Sequence, residues 1–170
     1  MRNFPRLLLL SLFGAFLLTS CQEDEKPIDN SDQIVGYWKK SINSGENMIL
    51  TQYFTFFDNG TYNSSSVYFN AETDEPLGYA GRSSGEFTLL DDQLSIMHNL
   101  IYGVPQDSDE IYVPNNQLVL TNNEFTEEMK LQEVKVEFSE DKMIWIYPPC
   151  GPLENCIGSQ EFERYTPIQF

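Results

Sequence analysis

Ile49-Leu-Thr-Gln-Tyr-Phe-Thr-Phe-Phe57 runs into Asp58-Asn59-Gly60 and then into Thr61 to Phe69. The first run is β-branched and aromatic, the composition that fits a pleated, half-buried surface. Asn-Gly is the strongest short hairpin signal, because both positions tolerate positive φ. The stretch therefore predicts two antiparallel strands and a tight turn. The same rhythm recurs along the chain. Gly85 to Leu90 turns at Asp91-Asp92 into Gln93 to Met97. Glu110 to Val113 turns through Pro114-Asn115-Asn116 into Gln117 to Thr121. Leu131 to Phe138 turns at Ser139-Glu140-Asp141 into Lys142 to Tyr147. In that hairpin Val134, Val136 and Phe138 alternate with Lys135 and Glu137, so one face is buried and one is wet.

Adding Tyr37 to Ser41 at the start and Glu161 to Tyr165 at the end gives about ten short strands. No long window carries a helical stripe, and Phe125 to Met129 has room for one helical turn at most. A long meander of hairpins solves its edge problem by closing on itself. The expected fold is all-β: an up-and-down antiparallel meander closing into a barrel of about 8–10 strands, with a β-sandwich as the alternative. Asn70 to Gly81 and Pro105 to Asp109 read as longer loops, common places for function on a rigid scaffold.

The chain has 170 residues, with Lys+Arg 10 against Asp+Glu 26 and a formal net charge of −16. Its first twenty residues hold no acid. They begin Met1-Arg2-Asn3-Phe4-Pro5-Arg6, continue apolar from Leu7 to Leu18 and end at Thr19-Ser20. This is a secretory leader pattern. Twelve residues at a rise of about 1.5 Å are too short for a bilayer core of about 30 Å. Removing Arg2 and Arg6 with the leader moves the charge by two, from −16 to −18. That sign repels phosphate backbones, so no nucleic-acid partner is expected.

Leu18-Thr19-Ser20-Cys21 resembles a bacterial lipobox. The resemblance implies cleavage before Cys21 and lipid attachment to it, with several acyl chains anchoring at about 0.8 kcal/mol per buried CH₂. The acidic run Gln22-Glu23-Asp24-Glu25 resembles the surface-export signal of Bacteroidetes lipoproteins. It implies the outer membrane and a domain facing the cell exterior, with the periplasmic face as the alternative. The domain reading is a signal peptide at 1–20, a flexible acidic tether at 21–33 and a β-barrel domain at 34–170. Outside the cytoplasm a nearby cysteine pair is usually oxidised, so Cys150 and Cys156 are expected to form a disulfide.

Gly36-Tyr37-Trp38 opens the β region. A Gly-x-Trp there resembles the lipocalin motif, in which the Trp packs across the barrel base under a late Arg. The resemblance makes Gly36, Trp38 and Arg164 the barrel-base motif. With the hairpins Phe56 to Tyr62 and Phe87 to Leu94, the chain is similar to lipocalin-like lipoproteins of the Bacteroidetes type, although no Thr-Asp-Tyr motif follows on a later strand.

Catalysis is hard to build from these residues. His98 is the only histidine, and its setting, Ile96-Met97-His98-Asn99-Leu100, reads as a strand end. No ligand spacing for a metal is present, and Asp107-Ser-Asp-Glu110 lacks the order of a calcium loop. A non-enzyme without cofactor or metal is expected. Tyr102, Tyr112 and Tyr147 each precede a proline by a few residues. If these positions are strand ends, the three rings line one mouth of the barrel, where a ring can stack and its hydroxyl can bond. Two functions remain open. One is a barrel that holds a small apolar or amphipathic ligand. The other is a filled-core module that binds a surface protein or glycan through its long loops. Barrels of this size can be filled or hollow.

Overall fold

The computed structural model describes residues 31–45, 47–121, 126, 130–148 and 158–167. Cys21, Cys150 and Cys156, the leader, most of the tether and nearly all of 125–129 lie outside them. Among the described residues a one-turn helix α1 (Ser31–Ile34) precedes nine strands. These are β1 (Gly36–Asn43), β2 (Met48–Phe56), β3 (Thr61–Asn70), β4 (Pro76–Leu90), β5 (Gln93–Gly103), β6 (Val119–Leu120), β7 (Leu131–Ser139), β8 (Lys142–Ile146) and β9 (Ser159–Arg164).

All pairings are antiparallel. The sheet closes because β1 pairs with β2 on one side and β9 on the other, while β5 takes β4 and β7. The result is an eight-stranded barrel, with β6 as an additional strand on β5. β5 meets β7 through Gln93–Met97 and β6 through Tyr102–Gly103. The barrel is therefore complete at one end, and its β2–β5 portion runs on past β7.

The alternating pattern of the sequence sets which side faces in. Trp38, Phe56, Tyr62, Phe87, Leu89, Leu94, Ile96, Val134, Val136, Met143, Trp145 and Phe162 form one buried cluster, with Ile34 of α1 closing it. Phe54 joins this core. Its ring stands 5.0 Å from Trp145 and 5.5 Å from Phe162, both edge-on, the arrangement aromatic quadrupoles favour. The complete end of the barrel is filled by its own side chains.

Three local expectations need correction. The β2–β3 turn is not a two-residue Asn-Gly turn: only Gly60 takes positive φ, at 78°. The chain turns over four residues, Phe57–Gly60, and the Asn59 side chain accepts from the Thr61 amide at 3.1 Å. Asn70 to Gly81 is not a long loop, because β3 runs to Asn70 and β4 starts at Pro76. Gly78 and Gly81 are strand residues at close approaches. A Cβ on Gly78 would lie 2.7 Å from the Tyr112 ring and 3.0 Å from the Val113 carbonyl oxygen; one on Gly81 would lie 3.0 Å from the Tyr102 oxygen. The Glu110–Thr121 hairpin shrinks to a bridge between Tyr79 and Val113, a 3₁₀ turn at Asn115–Gln117 and the two residues of β6.

Candidate functional site

The barrel base is built from both ends of the domain. Gly36 has φ +130°, a conformation open to glycine and strained for other residues. It starts β1 so that Trp38 turns inward, fully buried, and donates from Nε1 to the Ile34 carbonyl at 2.7 Å. Arg164, in register with Trp38 on β9, lays its guanidinium 4.3 Å from the indole centroid. It also donates to the carbonyls of Val35 at 3.1 Å and Gln33 at 3.0 Å. This corner seals the barrel.

Above the aromatic core the interior becomes polar. Ser64 and Ser83 share a hydrogen bond of 2.7 Å, and Ser83 meets the Tyr62 hydroxyl at 3.3 Å. That hydroxyl bonds Nδ1 of His98. Gln132 bonds the His98 ring and donates to the Tyr147 hydroxyl at 3.2 Å. The side chains thus form one chain across the barrel, Ser64–Ser83–Tyr62–His98–Gln132–Tyr147. With Tyr62 donating to Nδ1, the imidazole is neutral. Burial pushes its pKa below the usual value, while Gln132 pulls it back. Burial likewise pushes the Tyr62 hydroxyl up to about 12, against the bond from Ser83. Buried polar groups linked in this way specify one arrangement of the interior. Lys40 also belongs to the inward-facing set. Its ammonium is 5.9 Å from the Phe162 ring centroid, and burial lowers its pKa.

A concavity lies on the other side of the sheet. A groove of about 770 Å³ crosses the outer face of β2, β3 and β4 and reaches β5, a size in the range of ligand sites. Small side chains, Thr55, Ser65 and Ser84, make its floor. Tyr53 and Tyr165 stand on one side, with ring centroids 5.4 Å apart and edge-on. Asn115, Asn116 and Leu118 form the other. Arg82 spans from β4 to that wall by donating to Asn115 Oδ1 at 3.0 Å. Tyr79 and Tyr102 also line the groove, as do the apolar side chains of Val67, Phe69, Pro76 and Leu100. The Tyr53 hydroxyl is pushed up by burial and by the nearby Asp74 and Tyr79; that of Tyr165 is pushed up by burial, Tyr53 and Tyr37.

The three tyrosines expected at one mouth occupy three different settings. Tyr102 lines the outer groove. Tyr112 packs on Tyr68 at 5.5 Å. Tyr147 is inside, bonded to Gln132. Sequence reasoning passed over Tyr53, Tyr79, Tyr165, Arg82 and the Asn115-Asn116 pair. One signal was available: Ile49 to Phe57 is apolar or aromatic on both strand faces, which marks an outer face that is not simply wet. Among the described residues no group of three His, Cys, Asp or Glu is placed to hold a metal ion.

A closed antiparallel barrel with a tyrosine-walled groove on its outer face is the class of structure these features define. No protein-family model matches the chain, and no curated protein matches it in sequence.

Proposed function

We propose that the chain is a lipid-anchored lipoprotein of the lipocalin-like type, held in a bacterial outer membrane through Cys21, facing the cell exterior, and acting as a non-catalytic binding protein for a small amphipathic ligand. The observation that carries the binding reading is the groove of about 770 Å³ with Tyr53 and Tyr165 on one side and Asn115 and Asn116 on the other. Because aromatic side chains fill the complete end of the barrel, the ligand is taken on the outer face of β2–β5. The basic and then apolar leader ending at Leu18-Thr19-Ser20-Cys21 supports the anchor, and the acidic run Gln22-Glu23-Asp24-Glu25 supports the exterior face. The Gly36, Trp38 and Arg164 corner supports the lipocalin-like reading.

Native mass spectrometry of the lipidated chain, after exposure to lipid extract and cell metabolites, tests the binding. A retained mass that disappears on denaturation supports it. Replacing Ser84 by Trp should abolish that mass by filling the groove floor. A retained mass indifferent to this change places the ligand elsewhere. For the anchor, Cys21→Ala should move the protein from the membrane fraction to the soluble one. If it stays with the membrane, the anchor reading fails.

A further inference from the structure

The chemistry of the groove selects among amphipathic ligands. We infer that it is a binding site for a short uncharged oligosaccharide, laid across β2–β5 between Tyr165 and Asn115–Asn116. This rests on the binding reading above and narrows it to one ligand class.

Three observations lead there. First, the lining pairs aromatic surface with uncommitted hydrogen-bonding groups. Tyr53, Tyr79, Tyr102 and Tyr165 offer rings. Asn63 on the floor and Asn116 on the wall have amides that no described residue engages. An amide presents both donor and acceptor, as a sugar hydroxyl does. Sugar rings carry C–H faces that lie on aromatic rings and hydroxyl edges that need such partners.

Second, the polar floor disfavours an aliphatic chain, although Val67, Phe69, Pro76, Leu100 and Leu118 add apolar surface to the lining. Thr55, Asn63, Ser65 and Ser84 would lose water against hydrocarbon without replacement hydrogen bonds, which is costly. The same short side chains leave room for a flat, hydroxylated ligand close to the sheet.

Third, electrostatics disfavour an anion. The chain carries a net charge of −16, and Asp74 acts on Tyr53 in the groove wall. Arg82 is the cation of the lining, and its Nη1 is held by Asn115. It therefore serves as a fixed donor and as a brace for the wall. Spanning four strands means about three interstrand steps of about 4.8 Å, a length suited to two or three sugar units.

The test is isothermal titration calorimetry on the full lipidated chain in nanodiscs. The probes are maltotriose, cellotriose, mannotriose and chitotriose, with trigalacturonic acid as the charged comparison. At least one neutral trisaccharide should bind, and the charged one should bind more weakly. Tyr165→Ala and Asn116→Ala should each weaken binding about tenfold, and Tyr102→Phe should keep most of it. Ser65→Trp should abolish it at an unchanged melting temperature. Tyr112→Phe, outside the groove, should have no effect. No binding by any neutral sugar, or stronger binding of the charged one, overturns the inference. Binding that survives Ser65→Trp in a folded protein overturns it too. If sugars fail while a lipid-extract ligand is retained and lost on Ser65→Trp, the saccharide inference falls and the groove reading stands. If neither class binds, both fall.

Discussion

Arg164 lies 4.3 Å from the centroid of the Trp38 indole and ties that ring to the chain entering the barrel, through the carbonyls of Gln33 and Val35. One guanidinium therefore joins the last strand, the first strand and the segment before it. This fixes where the barrel closes.

Arg164→Ala should lower stability by about 1–2 kcal/mol, combining an exposed cation–π contact with two charged hydrogen bonds. Arg164→Lys should recover less than half of that, because an ammonium cannot make the planar fork. Midpoints in urea at unchanged m-value are the readout. Equal stability of the alanine variant would show that closure does not depend on this contact.

Gly36→Ala should cost about 1–3 kcal/mol. A non-glycine residue at φ +130° is strained, and its Cβ would stand 2.8 Å from Arg164 Nη1. The double variant with Arg164→Ala should lose less than the sum of the single losses, since the clash is then gone. Additive losses would place the whole effect in the backbone.

His98 supplies a clean titration, being the only histidine. Its folded pKa is below the usual 6.5 because burial disfavours the charged ring. The folded state thus binds this proton less readily than the unfolded state. The stability tied to His98 is full above about pH 6.5 and declines as pH falls through that value. In proton NMR the ring signal should titrate below 6.5, and His98→Gln should flatten the stability profile between pH 5 and 7. A midpoint at or above 6.5 would contradict the buried neutral ring.

Tyr62→Phe removes the hydroxyl that bonds Nδ1 of His98 and Ser83. Leaving a half-buried acceptor unpaired should cost about 1–3 kcal/mol. The His98 midpoint should move as well, which a packing effect alone would not produce. In the parent, alkaline ultraviolet titration should find one tyrosine ionising near pH 12, as burial requires, and this component should vanish in Tyr62→Phe.

If the proposed export holds, thiol labelling of the unreduced protein should find neither Cys150 nor Cys156 free, because a nearby cysteine pair outside the cytoplasm is usually oxidised. A disulfide closing so short a loop would contribute about 2 kcal/mol on the chain-entropy estimate. Two labelled thiols would refute the pairing.

Local chemistry was enough to place most strands and the closed all-β meander. Alternation along Leu131–Phe138 and the acidic turns at Asp91 and Glu140 act over a few residues, so they are written in the chain order itself. Gly36 and Trp38 were legible only through the resemblance of Gly36-Tyr37-Trp38 to a lipocalin opening. Gly78 and Gly81 misled, since glycine marks both loops and close approaches, and only neighbours distinguish them. Here the neighbours are Tyr102 of β5 and, where the chain returns after β5, Tyr112 and Val113.

The groove depended entirely on tertiary structure. Strand parity tells that Tyr53 faces away from Phe54, but not what stands beside it. Tyr165 reaches Tyr53 only because β9 closes on β1, with the Tyr165 amide donating to the Tyr37 carbonyl at 3.0 Å. Asn115 reaches Arg82 only because Val113 takes the place beside Tyr79 that β5 vacates. The sequence by itself determined an acidic, β-patterned chain, because propensity and periodicity are short-range. Barrel closure decided which wet-face side chains meet, because it joins residues more than a hundred positions apart and no local pattern carries that distance.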